Sequence, residues 1–206
     1  MECEDLKLID ESSSTVDFPI ESIRKQNETK MKYKGSLDLN VDILDKDQWK
    51  AFDLIMNAKN VHICGPAGSG KSLLLTYVVK ALRVLKLKVA ITATTGIAAN
   101  NLNSSGMETS ATTLHWWMGT GGNCGTPEKE AENLKMYKSD FRWKDTDVLI
   151  IDEVSMLSPE LFEKIEKIAR IIRCNPAPFG GIQVILCGDW FQLEPVREKK
   201  ISEKYR

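Results

Sequence analysis

Eight consecutive residues, Gly65-Pro66-Ala67-Gly68-Ser69-Gly70-Lys71-Ser72, match the pattern G-x-x-x-x-G-K-S in full. The chemistry such a segment supports is capture of a nucleoside triphosphate. Its glycines let the backbone wrap closely around phosphate oxygens, with successive N–H groups pointing inward at the positive end of the following helix. Lys71 is placed to reach the β and γ phosphates, and the Ser72 hydroxyl to bind magnesium. Further along, Asp152-Glu153 closes an apolar run, Val148-Leu149-Ile150-Ile151. Carboxylates at the carboxyl end of a parallel strand face the ligand crevice. There Asp152 would hold magnesium through water, and Glu153 would activate the attacking water. Alone, the pair reads as two solvated loop residues, and it is the phosphate loop that tips the balance. Gln192 follows a later run and Gly188-Asp189 at the same sheet edge, where its amide could contact a γ-phosphate and sense its loss.

A second group of residues suits a nucleic-acid backbone. Thr94-Thr95-Gly96 opens a short helix, and Thr112, Thr113 and His115 precede Trp116-Trp117. Hydroxyls, backbone N–H groups and a histidine make good phosphate contacts, and aromatic faces stack bases. Core packing is the competing reading for the tryptophans and the better one for at least one of them. His115 reads equally well as a structural histidine.

The elements that must hold these residues follow from periodicity. Trp49, Phe52, Ile55 and Met56 mark a helix from Asp47. Val61–Cys64 reads as a buried strand ending at Gly65, Leu73 to Leu85 as a helix, and Val89–Ala93 as the next strand: a strand-loop-helix-strand unit of a parallel sheet. Val148–Ile151 and Val184–Cys187 supply two more strands. Between them, Ser158-Pro159 gives an N-cap and a first-turn proline. Leu161, Phe162, Ile165, Ile168, Ala169 and Ile172 then form one helical stripe. The Gly-, Asn-, Ser- and Thr-rich stretch from Asn100 to Asp140 reads as loops with short helical patches. The expected fold class is α/β, a parallel sheet with helices on both faces, forming a P-loop nucleotide-binding lobe over residues 41–198.

With 206 residues, 42% apolar and a formal charge of -1, the chain has room for one such domain and reads as an ordinary globular protein. No apolar run approaches the roughly 20 residues of a membrane span, so no membrane partner is expected. Residues 1–40 hold nine acidic and six basic residues and few large apolar groups, the composition of a disordered tail. Their acidic start argues against a secretory signal and for an intracellular protein. The remainder carries 22 basic and 20 acidic residues, a balance that neither supports nor excludes nucleic acid. Five scattered cysteines without a C-x-x-C pair suggest neither a zinc site nor a disulfide framework, and Cys64 and Cys187 read as small buried hydrophobes.

Taken together, Gly65 to Ser72, Ala93-Thr94-Thr95-Gly96-Ile97-Ala98-Ala99, Ala111-Thr112-Thr113-Leu114-His115, Asp152-Glu153-Val154-Ser155-Met156-Leu157 and Gly188-Asp189-Trp190-Phe191-Gln192-Leu193 resemble, in order and spacing, the motifs of the Pif-one DNA helicases. Pro178 to Gln183 looks like this family too. Leu44-Asp45-Lys46-Asp47-Gln48 is similar to its adenine-reading segment, which makes Gln48 the candidate for recognising the base. The resemblance covers about residues 41 to 197 and implies the first of two RecA-like lobes. It further implies ATP and magnesium as cofactors, single-stranded DNA as partner, 5′-to-3′ translocation with unwinding, and roles in replication, recombination, repair or telomere upkeep. Glu194 departs from it, standing where the family has the first proline of Q-L-P-P. Residues 199–206 form a polar end, and the sequence as given carries no second lobe. A separate lobe or a replication protein would then complete the enzyme. The rival reading is a P-loop ATPase switch completed by a partner, without unwinding of its own.

Overall fold

The computed structural model describes residues 7–8, 43–104, 110–120 and 125–189. Gln192, Glu194, Cys3 and Cys124 lie outside these, as do nearly all of the expected tail and the polar end. The central sheet is formed by β1 (Lys7–Leu8), β2 (Val61–Cys64), β3 (Val89–Ala93), β4 (Thr112–Thr113), β5 (Val148–Asp152) and β6 (Gln183–Gly188), in the order β1-β2-β6-β5-β3-β4. All pairings are parallel except that of β1 with β2, in which Lys7 faces Cys64 and Leu8 faces Ile63. The short strand β1 thus falls inside the segment expected to be a disordered tail.

Strands buried on both faces read as unbroken apolar runs, because helices cover each side. Successive side chains of β5 show the division: Val148 and Ile150 enter one core, Leu149 and Ile151 the other. On the first face lie α1 (Lys46–Met56), α2 (Lys71–Val84) and α3 (Gly96–Ser104). On the second lie α4 (Leu114–Met118), α5 (Pro127–Met136), α6 (Phe141–Asp145) and α7 (Pro159–Arg173). The three-layer α/β architecture is the one expected, and all four strands anticipated from apolar runs are present. Ser158 accepts from the Leu161 N–H and Pro159 opens α7, as the cap signal indicated.

The reading of Asn100–Asp140 as mostly loop needs correction. It contains α5, ten residues capped by Thr126, whose hydroxyl accepts from the Lys129 N–H, with Pro127 in the first turn. The apolar stripe of α5 is thin because part of its buried face is ionic. Glu130, only 3% exposed, pairs with Lys164 of α7. Among the described residues no helix is long and apolar enough to cross a membrane.

Candidate functional site

The loop from Gly65 to Gly70 joins the carboxyl end of β2 to the amino end of α2. Its entry is fixed where the Gly65 N–H donates to the Gly188 carbonyl of β6 at 3.3 Å, and its bend where the Ser69 N–H donates to the Pro66 carbonyl at 3.2 Å. Gly68 and Gly70 take φ values of +83° and +81°, a region L side chains rarely adopt. Gly70 is also the N-cap of α2 and provides no side-chain cap, which leaves first-turn N–H groups of that helix open to a ligand. The Lys71 ammonium curls back over the loop, donating to the carbonyls of Gly65 and, at 2.8 Å, Pro66. Pro66, Ala67 and Gly68 are exposed, and Ser72 follows on the first turn of α2.

Gln48 is held against this loop from outside. Asp45 caps α1, and the Gln48 Oε1 accepts from the Asp45 N–H at 3.1 Å, completing a capping box. Its Nε2 donates to the Ser69 carbonyl at 3.3 Å. At 5% exposure, the amide expected to read a base is a brace between α1 and the phosphate loop.

Asp152 ends β5 beside Ala93 of β3, with β6 between it and β2. Burial pushes its carboxyl above the usual range. The Glu153 backbone N–H, the charge of Lys71 and a hydrogen bond with Cys187 pull the other way. Because β2, β6 and β5 run parallel side by side, the loop after β2 and the carboxylate ending β5 stand at the same edge of the sheet. Glu153 sits in left-handed backbone, φ 55° and ψ 46°. Its carboxyl is raised by burial first, then by Asp152 and Asp189, against Lys71. The fully buried Cys187 thiol is pushed well up by burial and by Asp152, which suits an inert packing group.

The second group of residues is tied to the main chain of Asp152 and Glu153. The Thr94 N–H donates to the Asp152 carbonyl at 3.2 Å, and its hydroxyl to the Glu153 carbonyl at 2.9 Å. Thr95 receives the Ala98 N–H at 3.1 Å, and Gly96 is exposed at the start of α3. Thr95, Asn101, Glu153 and Ser155 help line an open cleft of about 140 Å³ between α3 and the turn after β5. Thr112 and Thr113 form β4, the sheet edge beside β3. Thr113 caps α4 by accepting from the Trp116 N–H at 3.3 Å, and His115 points outward. The tryptophans divide: Trp117, 5% exposed, packs on Trp143 at 4.6 Å between centroids, whereas Trp116 is 59% exposed. Sequence reasoning missed Arg142, whose Nη1 donates to the Trp116 and Trp117 carbonyls at 2.6 and 3.3 Å. Nothing in its neighbourhood in the chain pointed to α4.

A parallel sheet with this loop at one strand end and two acidic residues at another defines a P-loop nucleotide-binding lobe. Residues 43–205 match the PIF1-like helicase family, and the chain belongs to it. The chain is 44% identical over 159 residues to uncharacterized protein 030L of Invertebrate iridescent virus 6, a match covering 75% of this chain and 29% of that protein. It is 40% identical to the ATP-dependent DNA helicase PIF1 of Saccharomyces cerevisiae, covering 74% of this chain and 17% of the relative. Among solved structures, the Pif1 helicase from Candida albicans superposes with a TM-score of 0.68 at 40% identity, over 75% of this chain and 34% of that one. Bacteroides Pif1 in complex with ADP-AlF3 and single-stranded DNA gives 0.60 at 33% identity, over 78% and 35%. The matched region is thus an ATP-binding lobe, and the chain spans under a third of each of these two curated relatives.

Proposed function

We propose that this chain is the nucleotide-binding lobe of an ATP-dependent DNA helicase that moves 5′ to 3′ along single-stranded DNA during replication, recombination, repair or telomere upkeep. The observation that carries the proposal is the bonding of Thr94 to the carbonyls of both Asp152 and Glu153. It joins the main chain of the two acidic residues of a nucleotide site directly to the segment suited to a DNA backbone.

The residues fit a magnesium–triphosphate group. Open N–H groups at the start of α2, Lys71 and a buried Ser69 hydroxyl without a hydrogen-bond partner offer donors to phosphate. Ser72 and Asp152 supply the oxygens a magnesium ion prefers. A magnesium ion held by these residues would neutralise negative charge developing on the phosphates. Glu153 takes the proton of the attacking water, a step its raised carboxyl favours because the base holds that proton more tightly. Gln192 senses the γ-phosphate, and Gln48, bonded to the Ser69 carbonyl of the phosphate loop, recognises the base. Thr94, Thr95, Gly96, Thr112, Thr113 and His115 line the face that contacts the DNA backbone.

Rapid turnover needs a cation that spans the transferring phosphoryl group, and the described arginines are committed elsewhere. Arg83 lies in the last turn of α2, Arg170 pairs with Glu166, Arg142 holds α4, and Arg173 donates to carbonyls of Trp143, Thr146 and Gly180. An arginine finger contributes about 10³ to 10⁵ in rate. The 206 residues alone should therefore bind ATP and hydrolyse it slowly. Phosphate release is measured with and without single-stranded DNA, before and after adding a separately expressed second lobe. DNA-stimulated turnover on adding the lobe is the expected result. Nucleotide-dependent association without any DNA stimulation would favour a switch instead.

A further inference from the structure

Residues 114–118 form one turn and a half of helix, with Leu114, Trp117 and Met118 on the core side. That spacing of three and four commits Trp116 to the outside. An indole left 59% exposed forgoes the burial that large aromatics usually obtain, and it is not left loose. The Arg142 guanidinium carbon lies 4.3 Å from the centroid of its ring, and the two bonds from Nη1 to the α4 carbonyls hold the guanidinium there. The same guanidinium is 5.6 Å from the ring of Phe141, itself 55% exposed. The acidic neighbour Asp140 is neutralised by Lys144, so the patch keeps its positive character.

We propose that Trp116, backed by Arg142, is a base-stacking platform for single-stranded DNA. The proposal rests on the single-strand reading given above and assigns it a subsite. The chemistry of the patch selects the occupant. A face with an arginine held between two exposed rings and no free carboxylate from Asp140 suits a polyanion with flat apolar bases better than the apolar face of a protein. Thr113 and His115, on the same turn, continue the surface toward the sheet edge with groups suited to phosphates. One face of the indole carries the guanidinium, and the remainder stays available to a base. Stacking is indifferent to base identity, so the platform grips the strand without fixing its sequence.

The test is binding of the 206-residue chain, at low salt, to a labelled oligothymidylate and to an abasic strand of equal length, followed by fluorescence anisotropy. Wild type should prefer the strand with bases. Trp116→Ala should lose roughly 5- to 150-fold in affinity for it and bind both strands equally, the effect of removing one stacked base. Trp116→Phe should recover most of the loss. The salt dependence should keep its slope in Trp116→Ala, because no phosphate contact is removed. The melting temperature should hold, since Trp116 belongs to neither core. Undiminished binding by Trp116→Ala would overturn the platform and leave the single-strand reading intact. Failure of the wild type to bind either strand would overturn both. Loss of association with a second lobe at unchanged DNA affinity would make the patch a protein interface and refute the proposal.

Discussion

Gly68 and Gly70 have nearly the same positive φ, yet alanine should cost very different amounts at the two. A Cβ at Gly68 meets nothing within 4 Å, so Gly68→Ala carries only the left-handed penalty, about 1 to 2 kcal/mol. At Gly70 the same atom would lie 2.3 Å from the Gln48 Nε2. The amide must move. Its departure breaks the bond to the Ser69 carbonyl and the capping-box bond from the Asp45 N–H. Two neutral hydrogen bonds contribute about 0.5 to 1.5 kcal/mol each, which brings Gly70→Ala to about 2 to 5 kcal/mol. Urea unfolding of both variants measures the difference. In a Gln48→Ala background, where those bonds are already gone, Gly70→Ala should fall back to the cost of Gly68→Ala. Equal costs in the wild-type background, or an unchanged cost after removing Gln48, would refute the brace.

Lys71→Ala removes a charge-assisted contact to the triphosphate, about 1.5 to 3 kcal/mol, so calorimetric titration should show magnesium–ATP affinity falling roughly 10- to 150-fold with the fold intact. Glu153→Gln should retain ATP but slow turnover by about 10² to 10⁴ in an assembly that hydrolyses it, and equal single-turnover rates would remove Glu153 as the base. The pH profile of the wild-type rate should place its acidic limb above the ordinary carboxylate range, because burial and Asp152 raise the Glu153 carboxyl. For Asp152, whose raised carboxyl holds its proton more tightly folded than unfolded, stability should decline as pH rises from about 3.8 through the folded value. Asp152→Asn should flatten that decline in urea titrations run at several pH values.

What the sequence displays and what it hides divides along physical lines. Runs such as Val148–Ile151 are legible because a strand covered on both faces must be apolar throughout. The loop from Gly65 to Ser72 is legible because phosphate capture restricts nearly every position. The helix α5 was hidden because Ala131 and Leu134 supply most of its apolar burial and Glu130 takes a core position by pairing with Lys164. Its cap, Thr126-Pro127, was in plain view. Gln48 stood out only by resemblance, and its bond to the Ser69 carbonyl crosses 21 positions and has no local signal. The two tryptophans could have been sorted by counting from Leu114. Finding Arg142 above Trp116, 26 positions away, required the fold.

Gly188 carries a consequence for how such a lobe can change over time. Its carbonyl receives the first N–H of the phosphate loop, and a Cβ on it would come within 2.9 Å of the Val154 side chain and 3.1 Å of the Val154 nitrogen. One residue is thus the common footing of the loop and of the turn that follows the two carboxylates. Lineages that adjust the reach of the loop by shifting β6 shift the carboxylate turn with it, and no side chain can be inserted at this point to separate them. Variation in hydrolysis rate among such lobes should therefore accumulate at positions above this footing, such as Ser155 and the start of α3, where a substitution alters one partner without moving the other.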